Sequence, residues 1–346
     1  MKKKICIIAP NINLKGGIAT VIREYKQSHI LKEFDLKYVS TYSNNRLIEF
    51  SKGLYHYMKM LVKKQIDLVH VHTASKGSFY RKSIFVNITP KNIPVILHIH
   101  GGGFIEFYDT APIIIKKRVQ KVIKRSDKII VLSEKFKNEL IDRFDIDNIK
   151  IVKVINGIKL NNEKIKLEDK KLQVIYLGKL TKNKGIYDLL QIIPKIHAKY
   201  PEVKFIIAGD GDIDKVKEIV ISEEINNCTQ VVGWIDGETK KKFLIESSIL
   251  VMPSYFEAFG ISIVEAMDYG MAVVATKVGG IPEIIQPNKN GLLFESGDLK
   301  EFSQALEKYI SDNKARAKVQ KNNLVAVEQY DINNVINQIK EIYLTI

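Results

Sequence analysis

Short apolar runs recur along the whole chain. In the first half they fall at 5–9, 36–40, 67–72, 94–100, 128–132 and 151–155, and in the second at 174–177, 203–208, 229–232, 249–252 and 272–276. The runs are nearly continuous, without polar alternation, as expected of strands covered on both faces. Between them lie stretches with helical spacing, near 18, 43–65, 112–126, 185–199, 213–222, 237–246, 261–269 and 298–311, and a final one over 316–344. Strand and helix alternate twice, on either side of a polar Lys/Glu-rich stretch at 158–171. The pattern predicts an α/β chain of two Rossmann-like parallel-sheet domains. We place the first at 1–157, a linker at 158–171, the second at 172–322 and a last helix at 323–346.

Charge separates the two halves. The 346 residues carry a net charge of +15. Residues 1–160 hold 30 Lys+Arg against 13 Asp+Glu (+17), and residues 161–346 hold 24 against 26 (−2). An AT-rich genome would enrich lysine in both halves, so the first half is expected to face something acidic: nucleic acid, an anionic membrane or a phosphorylated substrate. In the stretch 112–126, Ile115, Val119, Val122 and Ile123 share one helical face, and Lys116, Lys117, Lys121, Lys124 and Arg125 take the rest. The apolar stripe would pack inward while the lysines meet anionic lipid. Nucleic acid is disfavoured, because no aromatic residues are interleaved with those lysines. Cys6 and Cys228 read as reduced buried thiols. The basic start, Met1 to Cys6, leads into an apolar segment too short for a signal peptide. No apolar run reaches the roughly 20 residues that span a bilayer. Together these predict a cytoplasmic protein held peripherally at the membrane.

Candidate chemistry gathers at strand ends. After the run at 249–252, Pro253 and Ser254 stop the strand, Gly260 turns the chain, and a helix begins at Ile261. Glu257 lies in that loop, and the N–H groups of Phe259, Gly260 and Ile261 make an anion site. Glu265 sits among Ile263, Val264, Ala266 and Met267. A carboxylate there needs a hydrogen-bonding partner, and a vicinal diol would serve. Gly178-Lys179 to Lys184-Gly185 places lysines between a strand and a helix, a natural diphosphate site. Gly209-Asp-Gly-Asp212 could bridge phosphates through a metal, but a plain turn is the better reading. Gly16-Gly17 could bring bare backbone against a phosphate. Lys76, Arg81 and Lys82 follow the run at 67–72 as a cradle for an anionic acceptor. His98 and His100 share a strand face, and His100 precedes three glycines, where it can hydrogen-bond a substrate. No cysteine or further histidine stands at ligand spacing, so no metal is expected.

In their order, Gly16-Gly17, His100-Gly101, Asn156-Gly157, Gly178-Lys179 with Lys184-Gly185, Gly209-Asp-Gly, Glu257-x7-Glu265 and Gly279-Gly-Ile-Pro-Glu283 resemble the retaining glycosyltransferases of family four, which have the GT-B fold. The likeness covers residues 5–300. It implies two domains facing a cleft, with the last helix returning to the first domain. It implies a nucleotide diphosphate sugar as donor, uridine favoured, and no cofactor or metal. Lys179 and Lys184 would neutralise the diphosphate, Glu265 would bind ribose, and Glu257 with the N–H groups of residues 259–261 would hold the sugar and β-phosphate. Gly178 and Gly209 would border the donor, Trp234 and Ile235 would line the base, Gly16 and Gly17 would touch the donor phosphate, and His100 a sugar hydroxyl. The acceptor would be lipid-linked or a saccharide, in cell-surface polysaccharide synthesis. Members often carry Arg at position 179. Lysine cannot make a bidentate fork. A soluble epimerase or glucan synthase of similar shape is the enzymatic alternative.

Overall fold

A computed structural model describes all residues except Met1, Lys15 and Asn44. The chain forms two compact units, Met1–Gly157 with Tyr330–Ile346, and Ile158–Gln329.

The first unit is built on six parallel strands: β1 (Lys4–Ala9), β2 (Asp35–Ser40), β3 (Leu68–Thr73), β4 (Val95–Ile99), β5 (Lys128–Val131) and β6 (Ile151–Lys153), in the order β2-β1-β3-β4-β5-β6. β3 and β4 are buried at every position, which is why they read as unbroken apolar runs. One face, with Cys6, Val69, Val71 and Leu97, packs against Tyr57, Phe85, Val119 and Val122 from three helices. The other face, with Ile5, Ile7, Leu68 and Ile96, meets Tyr25 from the helix Gly17–Gln27 and Ile336, Ile339 and Tyr343 from the helix Ile332–Thr345.

The second unit has strands β7 (Lys171–Leu177), β8 (Lys204–Ala208), β9 (Thr229–Gly233), β10 (Ser247–Met252), β11 (Ala272–Thr276) and β12 (Leu292–Phe294), in the order β12-β11-β10-β7-β8-β9. Strand order reverses between β7 and β10, which pair side by side. A crevice opens at such a point because the loops leave in opposite directions. The stretch before β7 packs on this unit: the Asn161 N–H donates to Asp268, and Lys170 donates to the carbonyls of Leu244, Ile245 and Ser247.

The C-terminal region departs from the expected single helix over 316–344. It forms Asn313–Ala326, a 3-10 turn at Val327–Tyr330, and then Ile332–Thr345. Asp331 starts the last helix by accepting the N–H of Asn333, a capping bond that competes with continuation. The polar stretch 73–82 enters the helix Gly77–Ile88, whose Phe79, Phe85 and Val86 are buried.

Candidate functional site

In the second unit the predicted residues line the carboxyl ends of the strands. A short 3-10 turn, Lys182–Lys184, follows β7, and Gly185 turns the chain into the helix Ile186–Lys199. The hydroxyl of buried Tyr176 donates to the carbonyls of Lys179 and Lys184, at 2.8 and 3.2 Å, and so fixes the loop from beneath. Asn183 accepts the N–H of Tyr255, tying this loop to the one after β10. Across the strand-order reversal, Lys184 Nζ lies 2.6 Å from Glu257 Oε2 and donates to the Phe256 carbonyl. The other carboxylate oxygen accepts the Ala258 N–H. Lys179 is exposed, and its ammonium has no partner among the described residues. Gly178 and Gly209 meet backbone to backbone: a Cβ on Gly209 would stand 1.7 Å from the Gly178 carbonyl oxygen.

The helix Ile261–Asp268 opens at Gly260 with no side-chain cap, so its first turn offers uncapped N–H groups to an anion. Phe259 is buried beside it. Glu265 is only partly exposed, and Lys240 already partners it at 2.6 Å. That answers the desolvation cost foreseen for this carboxylate, with a partner from a separate helix, Gly237–Glu246, that local spacing does not reveal. Asp268, one turn on, has its carboxyl pushed up to about 6 by burial, opposed by the Asn161 N–H and assisted by Glu265. Trp234 is two-fifths exposed just after β9, with its indole N–H directed to Asp236, and Ile235 is half-buried.

In the first unit, Gly16 and Gly17 start the helix Gly17–Gln27 with open space where a Cβ would project. Lys76 precedes the helix Gly77–Ile88 at a positive φ of 51°. The Arg81 guanidinium lies over the Tyr42 ring, 4.7 Å from its centre. Lys82 is buried, and its single hydrogen bond among the described residues goes to Ser78 Oγ. Burial, then Arg81, lowers its ammonium to about 7. An arriving anion would restore the charge.

The β3–β4 register sets His72 opposite His98, so the rings of His70, His72, His98 and His100 share one sheet face. Spacing along the chain gave no hint of this array, because two of its members come from another strand. His72 Nδ1 lies 2.9 Å from His100 Nε2, and His70 Nδ1 lies 2.6 Å from the Tyr343 hydroxyl. Nitrogens of His70, His72 and His98 come within 4.8 Å of one another. Their planes stand only 3° to 35° apart. His70 and His98 stack, and His72 is tilted against both.

Burial holds these rings neutral. Desolvation, followed by the other rings, lowers His70 to about 3 and puts His72 and His98 well below the ordinary 6.5. Desolvation and then Lys82 lower His100 to about 3. Below pH 6.5 the unfolded chain therefore binds more protons than the folded one, and stability falls with acidity. We expect the first unit to be at full stability above pH 6.5. Between pH 6.5 and about 3 it should lose up to about 1.4 kcal/mol per pH unit for each ring that stays neutral. Thermal melting across that range checks this, and a flat profile would contradict it. Lys82, Tyr25 and Tyr343 also face the array.

Two family models match the chain: one described as Glycosyltransferase Family 4 over residues 20–162, and one described as Glycosyl transferases group 1 over residues 158–324. Among curated relatives, the phosphatidylinositol N-acetylglucosaminyltransferase GPI3 subunit of Saccharomyces cerevisiae is 27% identical over 75% of this chain and 58% of its own length. The first curated relatives are matched over only about 60% of their length. An uncharacterized 41.2 kDa protein in the cps region of Klebsiella pneumoniae is 26% identical over 86% of this chain and 87% of its own. The solved structure of Anabaena Alr3699/HepE, in complex with UDP and glucose, superposes with a TM-score of 0.79 over 99% of this chain and all of that one, at 17% identity.

Proposed function

The chain belongs to the group 1, family 4 glycosyltransferases of GT-B fold, and from that premise we propose that it transfers a hexosyl or N-acetylhexosaminyl unit, with retention, from a nucleotide diphosphate sugar to a lipid-linked or saccharide acceptor of cell-surface polysaccharide. The observation that carries this reading is the Lys184–Glu257 pair, set where strand order reverses and followed in the chain by the uncapped helix at Ile261. Breaking the anomeric C–O bond leaves charge on the diphosphate. Lys184, Lys179 and the helix N-terminus stabilise that charge. Glu257 holds the sugar, and Glu265, shared with Lys240, takes the ribose diol. Trp234 and Ile235 border the base. Gly16 and Gly17 allow close approach of the donor phosphate, Gly178 and Gly209 border it, and His100 meets a sugar hydroxyl. The acceptor hydroxyl attacks the face that the diphosphate leaves, and the leaving phosphate takes its proton. No step needs a metal.

Uridine is the favoured base, and the complex of HepE with UDP and glucose supports it. We expect calorimetry with a panel of nucleotide sugars to show one uridine donor bound best. Turnover should need an acceptor and persist in EDTA. Conversion of the donor without any acceptor would point instead to an epimerase.

Lys76, Arg81 and Lys82 are read as the acceptor side. We place the protein on the cytoplasmic face of the membrane. No helix among the described residues is long and apolar enough to cross a membrane. The helix Arg46–Val62 instead exposes Leu47, Ile48, Tyr55, Met58 and Val62, with Leu47 and Val62 about four-fifths exposed. Lys52 and Lys59 lie among them and Lys63 and Lys64 follow, with Glu49 the single acid of the helix. An apolar stripe edged by lysines suits anionic lipid better than the helix Ile113–Arg125 alone. The name of the GPI3 relative, which specifies phosphatidylinositol, is in keeping with a lipid acceptor. The protein should float with anionic liposomes at low salt and release at high salt, and Leu47→Ser with Val62→Ser should weaken flotation. Absence of binding at low salt would remove the membrane from this reading.

A further inference from the structure

We infer that His72 is a positioning residue that fixes His100 as the Nδ1–H tautomer, so that His100 meets the substrate as a hydrogen-bond donor and not as a base. The inference rests on the reading above that places His100 at the sugar.

A single proton lies between His72 Nδ1 and His100 Nε2, 2.9 Å apart. One ring donates and the other accepts. The choice follows from the far side of His72, whose Nε2 is enclosed and has no partner among the described residues. If His72 Nδ1 accepted, the neutral ring would carry its hydrogen on Nε2, leaving an enclosed N–H with no acceptor. If His72 Nδ1 donates, Nε2 holds only an unused lone pair. Orphaned N–H groups are the rarer and costlier defect. His72 therefore donates, and His100 Nε2 accepts.

Because the enclosed array keeps His100 neutral, its one hydrogen must then sit on Nδ1. His100 Nδ1 has no hydrogen-bond partner among the described residues, and His100 is the one member of the array that is not fully buried. Its backbone N–H is tied to the Thr73 carbonyl at 2.7 Å, which holds the residue at the strand end. The group presented to a ligand is thus an N–H. It can donate to a hydroxyl or ring oxygen of the sugar, but it cannot take the proton of the acceptor hydroxyl. That proton is left to the departing phosphate. In this arrangement chemistry at the strand end depends on a ring one strand away that touches no substrate.

The test uses the full chain labelled with 15N-histidine. Two-bond 1H–15N correlations report which ring nitrogen carries hydrogen, and the His100 signals are assigned by their loss in His100→Gln. We expect the wild-type His100 to be protonated on Nδ1. In His72→Leu, where Nε2 loses its donor, the Nε2–H form should appear, and kcat should fall about tenfold or more with donor KM little changed. In His72→Asn, whose amide can donate from the place of Nδ1, the Nδ1–H form and most of kcat should return. A wild-type His100 protonated on Nε2, or a tautomer unchanged in His72→Leu, would overturn the inference even if that variant is unstable or inactive. Full turnover in His100→Gln would instead defeat the placement of His100 at the sugar, and the tautomer result would stand apart from it.

Discussion

Lys184→Ala is expected to lower turnover by roughly 10²- to 10³-fold, the usual cost of removing one preorganised group that stabilises a developing anion. The variant loses a cation and also leaves Glu257 with only the Ala258 N–H as partner. An uncompensated carboxylate then faces the incoming diphosphate, so donor affinity should fall as well. Glu257→Gln makes the instructive contrast. It frees Lys184 for the diphosphate, so donor binding should hold or tighten while kcat drops, because the group that orients the sugar is gone. The pair is partly exposed and should be worth under about 1 kcal/mol of stability. Melting temperatures should therefore barely move, which separates lost chemistry from lost fold. Steady-state kinetics on both variants decide the matter, and normal turnover in both would sink the site assignment.

The second large effect is expected at Gly185. Its φ is +68°, and a Cβ there would stand 1.8 Å from the Pro253 carbonyl oxygen. Gly185→Ala therefore carries a left-handed penalty and also forces two backbones apart, together about 2–4 kcal/mol. The displaced loop carries Lys184, and Pro253 begins the loop that carries Glu257. The substitution should thus lower the melting temperature and break the ion pair together. Gly17→Ala is the matched control for stability, because nothing lies within 4 Å of its Cβ and its φ is not positive. Its melting temperature should stay at the wild-type value. A Gly185→Ala protein as stable as wild type would contradict the close packing of the two loops.

Much of the architecture could be read in one dimension. Eleven of the strand positions follow from apolar runs, because a strand covered on both faces has no polar side to interrupt it. β12, three residues long, escaped because so short a run carries no period. The last two helices read as one because their apolar spacing carries across the break, although Asp331 is legible as a cap. The lysines after β7 and the glutamate after β10 were legible as a site, since strand-end loops rich in Gly and charge are unusual in an otherwise neutral half.

Local features follow from the residues alone: the strands, the turns that need glycine, and the side chains offered at each strand end. Partner choice came only with the tertiary structure. Lys184 joins Glu257 because β7 and β10 are neighbours at the reversal of strand order, and Lys240 rather than a ligand meets Glu265. Four histidines become one array because β3 and β4 pair in a register that sets His72 beside His98. Strand order and register are fixed by burial of surfaces from segments far apart in the chain. A period read along one segment holds no information about which distant segment will cover it.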